Sequence, residues 1–73
     1  MKKDIFQQMA DGWGSEIVAR THIGKFTGGM IGAKTMANLD SQGMGPAEKL
    51  SIGRKTGYPV DSLIDWLRAR ASK

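Results

Sequence analysis

Few residues in this chain are suited to chemistry, and their order along it matters more than any one of them. From Gly28 to Thr35 the sequence reads Gly-Gly-Met-Ile-Gly-Ala-Lys-Thr. That is one residue away from a phosphate-binding loop, with Ala33 where a glycine precedes the lysine. Such a loop works when a buried parallel strand feeds it, a long helix follows, and a carboxylate on another strand holds magnesium. A chain of 73 residues has no room for that sheet, so the segment reads as a glycine-rich turn between two short helices. Asp61 and Asp65 are four positions apart and share a helix face. With no nucleophile or histidine assembled beside them, they read as charges complementing a helix start. The lone His22 lacks partners for a metal or a proton relay and reads as a surface or capping residue, and there is no cysteine for thiolate zinc or a disulfide. The expectation is a non-enzyme without metal or cofactor.

A different chemistry is carried by three separated polar groups. On a 3.6-residue period, Lys34, Ala37, Asn38 and Ser41 fall on one arc of a helix, opposite Met36 and Leu39. Short side chains let a backbone approach a DNA groove, Asn38 can bond bidentately to an adenine edge, and Lys34 can reach phosphate or guanine. Arg54 and Lys55 follow Gly53 and place two cations at a hairpin tip, suited to a phosphate run or a minor groove. Lys25, on the preceding short helix, is placed to brace against the nucleic-acid backbone. A solvated helix face or a soluble basic turn explains each group taken singly, and their succession favours the nucleic acid.

The elements that must position these groups follow from period and punctuation. Residues 1–11 set Ile5, Phe6 and Met9 at helical spacing and stop at Asp11-Gly12-Trp13-Gly14, a short amphipathic arm that packs on the domain or frays. Ile17-Val18-Ala19 is β-prone. Thr21 is suited to cap a short helix reaching Phe26 or Thr27, ended by Gly28-Gly29. A second helix spans about Ala33 to Ser41, with Gly43 beyond it. After Gly43-Met44-Gly45-Pro46, a strand over Lys49–Ile52, a turn over Gly53–Lys55 and a return over Thr56–Tyr58 make a hairpin. Pro59-Val60 leads to a last helix capped by Asp61 or Ser62, with Leu63, Ile64, Trp66 and Leu67 as its apolar face and Arg68, Arg70 and Lys73 near its end.

A chain this short makes a single domain that buries only about 60% of the surface its unfolded form exposes. The economical division is an arm over residues 1–15 and one α+β domain over 16–73. Net charge is +4, and residues 17–60 alone carry that excess: Arg20, Lys25, Lys34, Lys49, Arg54 and Lys55 against Asp40 and Glu48. A positive middle is where a polyanion would be met. Met1-Lys2-Lys3-Asp4 opens a polar stretch, with no apolar run of the length that a signal peptide or a membrane span needs. The expected location is the cytoplasm, without membrane partners.

The run Lys34-Thr35-Met36-Ala37-Asn38-Leu39-Asp40-Ser41-Gln42-Gly43-Met44-Gly45-Pro46, then Ile52-Gly53-Arg54-Lys55, Tyr58-Pro59 and Leu63-Ile64-Asp65-Trp66-Leu67, resembles the excisionase-like winged-helix family of phages and small prophage regulators. The resemblance covers roughly residues 17–70. It implies a small winged helix-turn-helix fold like that of the mercury-resistance-regulator superfamily, its second helix in the major groove and its wing against adjacent backbone or minor groove. By matching position, Lys34, Thr35 and Asn38 become recognition-helix contacts, Arg54 and Lys55 wing contacts, and Met36, Leu39, Tyr58, Leu63, Trp66 and Leu67 the core. The implied partner is double-stranded DNA in a mobile-element setting, together with an integrase or further copies of the chain along DNA. Excisionase and transcription regulator stay open alternatives, as does a protein-interaction module of anti-repressor type on the same fold.

Overall fold

Asp4 starts the first helix by accepting the Gln7 backbone N–H at 2.8 Å, and Gly14 ends it, giving α1 over Ile5–Trp13. In the computed structural model, which describes residues 4–71, the chain then forms β1 (Ile17–Ala19), a 3₁₀ turn (Arg20–His22), α2 (Ile23–Phe26), α3 (Ala33–Ser41), β2 (Leu50–Ile52), β3 (Lys55–Pro59) and α4 (Val60–Arg70). Lys2, Lys3 and Lys73, counted in the charge balance, lie outside the described residues. Over the described residues the architecture is a small α+β fold of four α-helices and a three-stranded antiparallel sheet. No helix among the described residues is long and apolar enough to cross a membrane.

The hairpin forms with a shorter turn than expected: Lys55 already pairs with Ile52 in the ladder, leaving Gly53 and Arg54 as the turn. Gly53 has φ 61°, a left-handed conformation that favours glycine at a two-residue hairpin loop. β1 joins the other side of β3, with Val18 opposite Tyr58, so the strand order is β1-β3-β2. The β-prone run at 17–19 is therefore the third strand of the sheet.

Two expected helix caps are replaced. The ladder with β1 continues past Pro59, the Val60 N–H donating to the Glu16 carbonyl at 2.9 Å. Strand then passes into α4 with no intervening loop, and neither Asp61 nor Ser62 caps it; the Ser62 hydroxyl instead accepts the Glu48 N–H at 3.1 Å. Thr21 likewise does not cap α2, because the 3₁₀ turn feeds that helix directly and Ile23 N–H bonds to the Arg20 carbonyl. The organising hydroxyl is that of Thr27, which donates to the Ile23 carbonyl at 2.9 Å and accepts the Ile31 N–H at 3.1 Å, tying the turn that leads into α3.

Val18, Ile23, Phe26, Met36, Tyr58, Val60, Leu63, Ile64 and Leu67 form the core. Leu39 and Trp66, expected within it, are only half-buried. The Trp66 ring lies beneath the Arg70 guanidinium, 5.0 Å from its centroid, and its Nε1 donates to the Met44 carbonyl at 2.9 Å. Trp66 thus fastens the loop before the hairpin to α4. The expected arm is α1, which extends through Gly12 and packs against α4. Its Phe6, Met9, Ala10 and Trp13 lie on the core, where the Trp13 ring meets Phe26 edge-on at 5.3 Å and Nε1 donates to the Ile17 carbonyl at 2.9 Å.

Candidate nucleic-acid interface

Helix α3 sorts its residues by face. Met36 is fully buried, while Leu39 and Asp40 also turn inward. Lys34, Thr35, Asn38 and Ser41 are exposed, with Ala37 half-buried beside them. Lys34 and Thr35 stand in the first turn, after Gly32, which makes no side-chain cap. Among the described residues Lys34 enters no ion pair. The Ser41 hydroxyl donates to the Asn38 carbonyl at 2.8 Å, so its proton is spent on the helix and its oxygen is left to accept. The arc therefore offers a cation, an amide and small side chains on a surface that approaches closely.

At the hairpin, Arg54 occupies the turn and Lys55 opens β3, both exposed and neither in an ion pair among the described residues. The strand residues beside them are also open: Leu50 is 47% and Ile52 71% exposed. Lys25 is exposed near the end of α2, which packs against α3. The fold thus gathers Lys34, Thr35, Ala37, Asn38 and Ser41 on one helix and sets Arg54, in the turn, next to Lys55, the first residue of β3, with Lys25 on a separate helix. The glycine-rich segment 28–35 follows the four-residue helix α2 and not a buried strand, so it lacks the element that feeds a phosphate-binding loop.

Between α3 and the sheet lies a polar cluster that reading along the chain does not reveal. Tyr58 donates its hydroxyl to Asp40 Oδ2 at 2.6 Å, Arg20 Nη2 reaches the same oxygen at 2.6 Å, and Arg20 Nε donates to the Tyr58 oxygen at 3.0 Å. The Asp40 side chain is 6% exposed. Burial, reinforced by the bond to Asp40, raises the Tyr58 phenol above its ordinary value and keeps it the donor. The Arg20 guanidinium is raised chiefly by its bond to Tyr58, with Asp40 adding and partial burial opposing. Arg20, one of the mid-chain cations, is consequently spent inside the protein.

The chain matches no protein-family model, no curated protein and no solved structure in these comparisons.

Three residues of structural weight were not singled out by periodicity: Asp40, Thr27 and Trp13. Asp40 is the one with a signal, since it is an acid that the helical period sets about 40° from Met36, on the packing side of α3. A charge at such a position needs a partner when buried.

Proposed function

We propose that this protein binds duplex DNA sequence-specifically as a non-enzymatic winged helix-turn-helix protein, with α2 and α3 as the helix pair and β2–β3 as the wing. Its setting on this reading is a mobile element in the cytoplasm, where it acts as an excisionase-like directionality factor beside an integrase or as a small regulator of such genes. The observation that carries the reading is the coincidence of two exposed surfaces whose cations enter no ion pair among the described residues: the Lys34–Asn38 arc of α3 and the Arg54–Lys55 tip of the hairpin that follows it. Asn38 offers donor and acceptor together and is suited to discriminate a base, whereas the tip cations suit phosphates. Bending a site costs a few kcal/mol, which contacts from helix and wing in several copies along the DNA would offset.

A second reading, a protein-interaction module, is favoured by one feature. Ile5, Phe6, Met9, Met30, Ile31 and Leu67 line an apolar groove of about 440 Å³, with Ile5 60% and Met30 85% exposed. Patches of this kind mark association surfaces. Such a module has no need of the Arg54–Lys55 tip.

Selection from a randomised duplex pool separates the two. The DNA reading predicts an enriched motif, on which Asn38→Ala costs about 1–3 kcal/mol while losing far less on random duplex. Arg54→Ala weakens both about equally. A pool that enriches nothing ends the sequence-specific reading, and a loss of base preference in Arg54→Ala with preference intact in Asn38→Ala reverses the two roles.

A further inference from the structure

Asp40 has three neighbours that do not share an element. Arg20 comes from the 3₁₀ turn after β1, Tyr58 from β3, and Gly45 from the loop between α3 and β2. A Cβ placed on Gly45 would overlap the Asp40 carboxylate, so the loop passes that carboxylate as closely as glycine allows. The same loop is tied back to α3 by the Met44 N–H, which donates to the Leu39 carbonyl at 2.9 Å. On α3, Asp40 is two residues past Asn38 and about 200° around the helix from it. In β3, Tyr58 is three residues past Lys55. One buried carboxylate, on the back of the helix whose front carries Asn38, thus bonds to the strand whose start carries Lys55 and to the 3₁₀ turn after β1.

We propose that Arg20, Asp40 and Tyr58 are positioning residues for duplex binding, a bracket that fixes α3 against the β2–β3 hairpin so that both surfaces meet one duplex at once. The inference rests on the DNA reading and names the device that makes two weak surfaces act together. The cluster's chemistry suits that task. A lone carboxylate on α3 would repel an incoming phosphate backbone, and Arg20 neutralises it from within. An Oδ2 that accepts from Tyr58 and from Arg20, donors on two different elements, fixes an orientation, where apolar packing alone tolerates small slides. Two contact sets held rigidly bind as a bivalent unit, whose gain over either alone disappears when the geometry no longer lets both engage.

Tyr58→Phe tests the bracket, since it keeps the buried ring and removes only the hydroxyl. Arg20→Lys is the second variant, keeping the charge on a partly exposed side chain but losing the fork that spans Asp40 and Tyr58. Duplex of mixed sequence is titrated by anisotropy over a range of salt, well below each melting midpoint, with parent, both variants, and Arg54→Ala in each background. The bracket predicts affinity about tenfold or more below the parent. It also predicts a log–log salt slope shallower by about one to two units, and a smaller penalty for Arg54→Ala in the variants than in the parent. Where Tyr58→Phe loses its cooperative melt, Arg20→Lys decides. A folded variant with the parent's slope and the parent's full Arg54→Ala penalty overturns the bracket and leaves the DNA reading standing. A parent without salt-dependent duplex binding overturns both.

Discussion

Helix α1 and the β2–β3 hairpin are both peripheral, yet they differ in how their side chains are used. In α1 the residues that face the domain are occupied. Asp4 caps the helix and pairs with Arg68 at 2.6 Å, the Arg68 guanidinium lies 5.2 Å from the Phe6 ring centroid, and Trp13 is seated on Phe26 with its indole N–H bonded. In the hairpin, β2 is exposed along its whole length and the two cations at the tip pair with nothing among the described residues. A peripheral element whose charged and aromatic anchors are answered inside the protein, as Asp4, Phe6 and Trp13 are, serves stability. One that presents unanswered charge is available to a partner, because leaving the charge in water costs the fold nothing.

Trp13→Ala is the substitution that weighs most on this contrast. It removes a half-buried indole, an edge-to-face contact and a hydrogen bond, and is expected to cost about 2–4 kcal/mol in a thermal or denaturant melt. A cost under about 0.5 kcal/mol, usual for a surface position, would make α1 a loose arm. Replacing Arg54 and Lys55 together with alanine should do the reverse. The melt stays within about 0.5 kcal/mol of the parent while the salt slope for duplex becomes shallower by about two units. A lowered melt with an unchanged slope would put the hairpin in the same class as α1.

The smallest effect concerns Asp4. Its hydrogen bond to Arg68, then that from the Gln7 N–H, holds its carboxyl below the ordinary 3.8. A depressed carboxylate contributes stability above its unfolded value and loses it as pH falls through the folded one. The gap in melting temperature between the parent and Asp4→Asn should therefore be present near neutral pH, close below the ordinary carboxylate range, and shrink in high salt because the pair is exposed. A gap that is constant down to strong acid would remove the ion pair from the account of α1.

What was legible in the sequence was what repeats locally. The apolar positions of α3 and α4 recur at helical spacing, and glycine or proline punctuates the hairpin, so these elements and the exposure of Lys34, Asn38, Arg54 and Lys55 could be read along the chain, whereas the period sets Thr35 beside Leu39 and gives no sign that it is exposed. Contacts between distant residues leave no such period. The pairing of β1 with β3 and the meeting of Arg20, Asp40 and Tyr58 depend on how the strands come together. The continuation of that ladder into α4 is also what displaced the expected cap at Asp61 or Ser62. Trp13 was hidden for a different reason: Gly12 and Gly14 on either side favour a turn, and helix α1 extends through Gly12 because its indole gains a seat on the core.

The central claim, that the charge left unanswered by the fold is there for DNA, is tested most directly by the salt dependence of duplex binding. With Arg20 spent on Asp40 and Tyr58, the cations that the DNA reading assigns to phosphate contact among the described residues are Lys25, Lys34, Arg54 and Lys55, all exposed. At about −0.9 per phosphate contact, the account predicts a log affinity against log salt slope of roughly −3 to −4 per bound monomer, whereas a slope near zero would contradict it.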